Sequence, residues 1–318
     1  MKFEGIIPPI LTPFNDDHSV DEPGYAKMIE FMIDGGVHAI IVGGTTGEYY
    51  AMTHEERVRQ FHYAKEVIAG RVPMIAGVND ARTEDAADLA TAAREAGADG
   101  VLIAAPYYSL PTERELVSHC LAVDRAGKLP VMLYNYPGRT GVMMGEEFLE
   151  RVAQNANFQC IKEASGDINR VHLLAREYEH IQLSCGCEDQ ALEFYVWGAT
   201  SWVTPMGNFF PEEVVAFHNM CTIDHDFVKA RRMMQALLPI TSVLEGGGKY
   251  LQSVKFSAEF YGLPAGPVRK PLRPLKKELK RELREVLNTA KTTMRQILND
   301  QSSPHTDEVP HVRLVDQG

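Results

Sequence analysis

The sequence predicts an α/β fold, a (β/α)8 TIM barrel with a C-terminal helical extension. Eight short apolar runs alternate with helical patterns, and runs of this kind are typical of parallel strands that are buried on both faces. Eight such alternations in roughly 200 residues suit a closed barrel. The runs are Ile6–Leu11, Val37–Val42, Val72–Ala76, Gly100–Ala104, Leu129–Tyr134, Phe158–Lys162, Ile181–Ser184 and Ser201–Thr204.

Helix signals fill the segments between the runs. Apolar residues between positions 25 and 33 fall on one helical face, which stops at Gly35. Thr53 and Glu56 have the spacing of a capping box at the start of a second helix. Acidic residues follow Thr83 in the first turn of a third, Ala-rich helix. There they interact favourably with the positive end of the helix dipole.

A doubly wound sheet is the other fold that eight alternations allow. Dinucleotide-binding folds of that type carry a glycine-rich phosphate fingerprint after the first strand. Here the first run continues through Pro8 and Pro9 to Phe14 with no glycine cradle. The barrel is therefore the favoured architecture.

Three regions are predicted along the chain. Residues 1–224 form the catalytic barrel, residues 225–300 form a C-terminal helical region, and the polar residues 301–318 form a flexible tail. The last helix is recognised by apolar residues at helical spacing. They are Leu279, Leu283, Val286, Leu287, Ala290, Met294 and Ile297.

Composition and charge exclude several classes of function. The net charge of −11 argues against nucleic-acid binding, which needs clustered Lys and Arg. The basic cluster around Lys276–Arg281 alternates with glutamates, so it is interpreted as a solvated helix face. No apolar run is long enough to cross a membrane, and the start lacks a signal-peptide pattern. A cytoplasmic protein is expected.

The five cysteines do not predict a metal or redox site. Cys185 and Cys187 are closer together than the cysteines of a CxxC motif, and no further ligands are evident. We interpret them as small buried thiols beside the site. No metal is expected.

Candidate functional residues follow the strands, because the active sites of such barrels lie at the C-terminal rim. After the second run, glycines and the hydroxyls of Thr45 and Thr46 could hold a carboxylate, although an ordinary Gly-rich turn is the alternative. Tyr108 follows the fourth run and Tyr134 ends the fifth. Either tyrosine could equally be a packing residue. Arg139 could bind a carboxylate bidentately or pair with a surface acid.

Lys162 ends the sixth run. Such a lysine either points into the barrel mouth or ends the strand in solvent. In the mouth, desolvation would lower its pKa and provide the neutral amine that attacks a ketone. The resulting iminium would act as an electron sink, and threonine and tyrosine hydroxyls could carry protons.

Four motifs in this order resemble the dihydrodipicolinate synthase / N-acetylneuraminate lyase family, over residues 3–298. The motifs lie at Gly44–Glu48, Pro106–Tyr108, Tyr134–Gly141 and Ile161–Gly166. The resemblance implies a class I lyase in which Lys162 forms a Schiff base with pyruvate. It also implies no metal or organic cofactor.

The resemblance further implies roles for individual residues. Tyr134, Thr45 and Tyr108 match a proton relay, in which the tyrosine equivalent to Tyr108 comes from a neighbouring subunit of a homotetramer built as a dimer of dimers. Thr46 matches a ligand of the pyruvate carboxylate. Arg139 matches the arginine that recruits the carboxylate of the second substrate.

Gly186 and Val203 match positions that line the pyruvate pocket in the family. Arg139 favours a synthase-like reaction of pyruvate with an aldehyde such as aspartate semialdehyde, or its reverse cleavage. The segments Gly77–Ala81, Tyr49–Tyr50 and Glu245–Lys249 depart from the synthases. A 2-keto-3-deoxy sugar acid aldolase or dehydratase is therefore the alternative, and a non-catalytic sensor that binds a keto acid is the second.

Overall fold

Eight parallel strands run in chain order around the computed structural model, which describes residues 2–300. Each strand falls within or beside one of the eight predicted runs, so the predicted strands are confirmed. The predicted tail at residues 301–318 lies outside the described residues. The strands are β1 (Gly5–Ile6), β2 (Ile40–Val42), β3 (Met74–Gly77), β4 (Gly100–Ala104), β5 (Val131–Asn135), β6 (Phe158–Glu163), β7 (Gln182–Cys185) and β8 (Ser201–Trp202).

The sheet closes into a barrel. β1 pairs with β8, while the segment after β1 reaches β2 through a parallel bridge between Pro9 and Ile41. The Ile41 N–H donates to the Pro8 carbonyl, and the Ile10 N–H donates to the Ile41 carbonyl, both at 3.0 Å. The predicted (β/α)8 barrel is confirmed.

Twelve α-helices are described between and after the strands. The capping box at the start of α2 is present: the Glu56 N–H donates to Thr53 Oγ1 at 3.2 Å, and the Thr53 N–H donates to Glu56 Oε2 at 2.9 Å. The helices are α1 (Glu22–Asp34), α2 (His54–Ile68), α3 (Thr83–Glu95), α4 (Glu113–Gly127), α5 (Pro137–Thr140), α6 (Glu146–Val152), α7 (Ile168–Glu177), α8 (Ala191–Val196), α9 (Pro211–Thr222), α10 (Phe227–Glu245), α11 (Tyr250–Phe260) and α12 (Lys277–Asn299).

The last three helices form the predicted extension. α12 packs on α10 and α11 through a stripe of buried apolar residues, while Lys276 and Lys277 are exposed. The buried residues of the stripe are Leu283, Leu287, Ala290, Met294 and Ile297. The predicted boundary at residue 224 falls between α9 and α10, and it stays a prediction. Among the helices of the described residues, none has the length and apolar character that a membrane crossing requires.

β2 and β3 approach each other closely where they enter the barrel mouth. A Cβ atom added at Gly77 would lie 2.4 Å from the carbonyl oxygen of Gly43 and 3.1 Å from the backbone nitrogen of Gly44. Gly43 itself has a φ of +71°, in the left-handed region that favours glycine. The backbone after β2 therefore reaches its position only because position 77 has no side chain.

The Gly77→Ala substitution should destabilise the protein by about 1–3 kcal/mol, since the new methyl group meets backbone rather than a movable side chain. Gly246→Ala is the matched control, because nothing lies within 4 Å of a Cβ at that position and its φ is −66°. It should change the free energy of unfolding by no more than about 0.5 kcal/mol. Equilibrium denaturation in urea measures both values, and equal stability of the two variants would contradict the steric argument.

Candidate active site

One cavity of about 230 Å³ opens at the C-terminal ends of the strands. Its walls come from the loops after β2, β5, β6 and β7 and from the start of α11. Seven of the eight site residues predicted from the sequence line it. They are Thr45, Thr46, Tyr134, Arg139, Lys162, Gly186 and Val203.

The Lys162 side chain points into the cavity and is only 7% exposed. In the sheet it pairs with Tyr134 of β5 on one side and Ser184 of β7 on the other. Its amine lies 4.1 Å from the centroid of the Tyr134 ring. Burial lowers the pKa of this amine, because the low-dielectric surroundings disfavour its charged form.

Gly186 gives the lysine the space that it occupies. A Cβ at this position would lie 2.9 Å from Lys162 Cε and 2.8 Å from the Glu163 carbonyl oxygen. A side chain here would therefore displace the lysine or the end of β6. The absence of a side chain at Gly186 is part of what positions the amine.

The carboxylate of Glu163 holds the ends of β5 and β6 together. It is buried, and it accepts hydrogen bonds from Asn135 Nδ2 at 2.8 and 3.0 Å and from the Ser165 N–H at 2.7 Å. Arg170 Nε lies 3.6 Å away. Because Glu163 directly follows Lys162, this network fixes the backbone on which the amine is carried.

A tight turn after β2 presents two hydroxyl groups to the cavity. It spans Thr45–Gly47, and Glu48 follows it with a φ of +58°. The Thr46 hydroxyl lies 3.1 Å from the hydroxyl of Tyr250, the first residue of α11. The extension thus contacts a predicted site residue directly.

A buried ion pair also joins this turn to the extension. Lys255 Nζ of α11 lies 2.7 Å from Glu48 Oε1, and the two side chains are 3% and 0% exposed. The same amine donates to the Pro267 carbonyl at 2.7 Å, and the Arg269 N–H donates to Glu48 Oε2 at 3.1 Å. The position of the turn thus depends on residues more than 200 positions away in sequence.

Arg139 lies on α5 at the cavity mouth. Its guanidinium carbon is 5.5 Å from the centroid of the Tyr136 ring and 5.6 Å from that of the Tyr250 ring. None of the ion pairs found within residues 2–300 involves Arg139. The charge of Glu245 in the same cavity does act on the guanidinium, although the two do not form an ion pair. An anion at the entrance can therefore still reach Arg139.

Tyr108 is the one predicted site residue that does not line the cavity. Its side chain is 96% exposed, and its φ of +75° places it in the left-handed region. A single chain therefore does not bring Tyr108 to Lys162. The role of this tyrosine as a residue contributed by a neighbouring subunit stays a prediction.

The further lining residues include five acids and phenols that sequence reasoning did not place there: Tyr136, Glu188, Asp189, Glu245 and Tyr250. Glu188 follows β7, so its position after a strand was a usable signal. Tyr250 and Glu245 come from the extension, and no local pattern connects them to the barrel mouth. Together these residues add three carboxyl and two phenol groups to the site.

Burial also raises the pKa values of acids and phenols that line the cavity. It raises the pKa of Glu188 to about 8, and the nearby charge of Glu245 adds to this effect while Lys162 opposes it. Burial raises the pKa of Glu245 as well. It raises the pKa of the Tyr134 and Tyr250 phenols well above 10. A buried amine of lowered pKa and a buried acid of raised pKa thus share one cavity, an arrangement typical of active sites.

Cys185 and Cys187 lie beside the cavity as buried, free thiols. Cys185 Sγ donates to the Cys187 carbonyl at 3.1 Å. Burial raises the pKa of both thiols, which disfavours the thiolate form that binds metals. In residues 2–300, no three His, Cys, Asp or Glu side chains are grouped so that they could hold a metal ion.

Comparisons with known proteins agree on one family. The model of the dihydrodipicolinate synthetase family matches residues 2–290. A 4-hydroxy-tetrahydrodipicolinate synthase of Exiguobacterium sibiricum is 35% identical over 85% of this chain and 92% of its own. The crystal structure of dihydrodipicolinate synthase from Aquifex aeolicus has a TM-score of 0.85 at 31% identity, covering 91% of this chain and 98% of its own.

A further solved structure is that of YagE in complex with pyruvate. This is a prophage protein of Escherichia coli K12 that belongs to the dihydrodipicolinic acid synthase family. Its TM-score to this chain is 0.87 at 28% identity, with 92% of this chain and 99% of that chain covered. The likeness therefore includes the barrel and most of the extension.

The Lys255→Met substitution should destabilise the protein by about 3–5 kcal/mol, because it leaves the Glu48 carboxylate buried without its cation. The double substitution Glu48→Gln with Lys255→Met should cost less than the single one, since it removes both buried charges. Urea denaturation of the two variants gives both free energies of unfolding. A double variant as unstable as Lys255→Met would show that the pairing of the charges is not what matters.

Proposed function

Since the chain belongs to the dihydrodipicolinate synthetase family, we propose that it is a lyase that joins pyruvate to an aldehyde, or cleaves the product, through a Schiff base on Lys162. The observation that carries the proposal is the buried Lys162 amine in the barrel cavity, with a pKa lowered by desolvation. A neutral amine is the form that attacks a ketone carbon.

The proposed reaction begins when Lys162 attacks the C2 carbon of pyruvate. Loss of water gives an iminium, which withdraws electrons from C3 and allows a C3 proton to leave. The resulting enamine attacks the aldehyde carbon and forms the new C–C bond. Tyr134 and Thr45 line the cavity beside Lys162 and serve as relay hydroxyls in this proposal.

The turn after β2 binds the carboxylate of pyruvate. The Thr46 hydroxyl faces the cavity, and backbone N–H groups of a tight, glycine-flanked turn can bind an anion. Gly186 and Val203 line the same cavity and leave room for the three-carbon acid. With its carboxylate bound by this turn, the acid directs its ketone toward Lys162.

Aspartate semialdehyde is the proposed second substrate. It carries a carboxylate, and Arg139 provides an available guanidinium at the cavity mouth. Relatives named 4-hydroxy-tetrahydrodipicolinate synthase support the same assignment.

A 2-keto-3-deoxy sugar acid is the second candidate, as the substrate of an aldolase or dehydratase reaction. It is favoured by Glu188, Asp189 and Glu245, which add three carboxyl groups to the cavity. Carboxyl groups accept hydrogen bonds from the hydroxyls of such an acid. A sensor without catalysis is disfavoured, because Lys162, Tyr134 and Thr45 are all in the cavity. A coupled assay of aspartate semialdehyde against 2-keto-3-deoxy acids separates the two substrates.

The assembly and cellular setting complete the proposal. We propose a homotetramer, built as a dimer of dimers, in which Tyr108 enters the cavity of the neighbouring subunit as the third relay hydroxyl. An exposed phenol on a left-handed residue supports this role, since it is available to a partner. The enzyme acts in the cytoplasm. It needs no metal or organic cofactor, because the iminium formed on Lys162 is the electron sink.

Incubation with pyruvate and borohydride should add one reduced pyruvate to the protein, and peptide mass spectrometry should place it on Lys162. The Lys162→Ala variant should gain no mass, whereas Lys249→Ala should react like the unmodified protein, because Lys249 is an exposed lysine outside the cavity lining. An adduct that persists in Lys162→Ala would contradict the proposed nucleophile.

The Arg139→Gln variant should raise the KM for aspartate semialdehyde about 10–100-fold, the loss that follows from removing a hydrogen bond to a charged group. Its rate of borohydride trapping with pyruvate should stay within about threefold, because the guanidinium is assigned to the second substrate. Steady-state kinetics and trapping measure the two effects. If the trapping rate falls by the same factor by which the KM rises, Arg139 binds pyruvate instead.

A further inference from the structure

We propose that Tyr250 is a positioning residue for pyruvate, which acts through its hydroxyl contact with Thr46. The phenol donates a hydrogen bond to the Thr46 hydroxyl, so that the Thr46 proton points at the carboxylate of the bound acid. The inference rests on the proposed function, because it concerns how the keto acid of that reaction is held. It does not depend on which second substrate the enzyme takes.

Tyr250 reaches the turn after β2 from the C-terminal extension. It is the first residue of α11, it lines the cavity, and its hydroxyl lies 3.1 Å from the hydroxyl of Thr46. Lys255 of the same helix forms the buried ion pair with Glu48, the residue that follows the turn. The helix is therefore joined to this turn at two points, which keeps the phenol beside Thr46.

The chemistry of the three groups fixes the direction of the hydrogen bonds once pyruvate is bound. A carboxylate can only accept hydrogen bonds, so the Thr46 hydroxyl donates its single proton to it. The Thr46 oxygen is then an acceptor for Tyr250, and the phenol is the donor. Each hydrogen bond in such a chain polarises the next, which strengthens the contact with the carboxylate.

The phenol is in the protonated form that this role requires. Burial raises the pKa of Tyr250 well above its ordinary value, because the low-dielectric surroundings disfavour the phenolate. Thr46 is only 1% exposed, so few water molecules can compete with the phenol for its hydroxyl. The Tyr250 proton is therefore available to Thr46 at neutral pH.

The ring of Tyr250 makes a separate contact. The Arg139 guanidinium carbon lies 5.6 Å from the ring centroid, within the range of a cation–π interaction. Arg139 is assigned to the second substrate, whereas Thr46 is assigned to pyruvate. Removal of the hydroxyl alone should therefore weaken the binding of pyruvate and leave that of the second substrate unchanged, which a general loss of structure would not do.

The test compares Tyr250→Phe with Tyr261→Phe. In Tyr250→Phe, the pyruvate concentration that gives half the maximal rate of borohydride trapping should rise about 3–10-fold, the loss expected for one hydrogen bond. The maximal trapping rate and the KM for aspartate semialdehyde should stay within about twofold, because Lys162 and the ring at position 250 keep their places. Tyr261→Phe also removes a hydrogen-bonded hydroxyl from the extension, but outside the cavity lining, and it should bind pyruvate normally.

A double-substitution cycle separates this role from a structural one. In a Thr46→Val background, Tyr250→Phe should change the half-saturating pyruvate concentration by less than about twofold, since the hydroxyl through which it acts is gone. In a Thr46→Ser background, which keeps a hydroxyl, the effect of Tyr250→Phe should return. If Tyr250→Phe does not fold, Tyr250→Leu takes its place in the same cycle.

Three results would overturn the inference. The first is a half-saturating pyruvate concentration in Tyr250→Phe that stays within about twofold of normal. The second is an equal rise in the Thr46→Val background, and the third is an equal rise in Tyr261→Phe. Failure of the proposed function looks different, because the unmodified protein itself would then gain no adduct at any pyruvate concentration.

Discussion

The burial of one amine is the constraint on which the rest of the site depends. A lysine at the mouth of a closed barrel can be neutral only if water is kept from it and no carboxylate pairs with it tightly. The Tyr134 ring covers one side of Lys162, and Gly186 leaves the space for its chain. Among the carboxyl groups that act on it, that of Glu188 has the largest effect, and burial shifts this carboxyl toward its neutral form.

The C-terminal extension is part of the site as well as of the fold. The Tyr250 hydroxyl contacts the Thr46 hydroxyl, and the buried Glu48–Lys255 pair joins the turn to α11. Because breaking a buried ion pair strands a charge, this contact resists movement of the turn relative to α11. The barrel carries Lys162, the proposed nucleophile, and the extension contacts the Thr46 hydroxyl in the same cavity.

Sequence patterns predicted most of the fold and the centre of the site. Parallel strands buried on both faces give apolar runs. Lys162 could therefore be recognised from the sequence as a lysine that ends such a run. The first run, Ile6–Leu11, shortened to Gly5–Ile6 because Pro8 and Pro9 have no N–H for the ladder. Tyr250 was not assigned to the site, since its place in the cavity arises from packing between distant segments. Glu188 was also not assigned, although its position directly after β7 was a usable signal.

The most direct test of this account is the titration of the Lys162 side chain itself. In protein labelled with 13C at lysine Cε, one NMR resonance should be absent from Lys162→Ala and should titrate below the usual lysine pKa of about 10.4. Addition of pyruvate should shift that resonance alone as the iminium forms. A Lys162 resonance that titrates with the same pKa as the exposed lysines, and that does not shift when pyruvate is added, would contradict the claim that burial makes this amine a nucleophile.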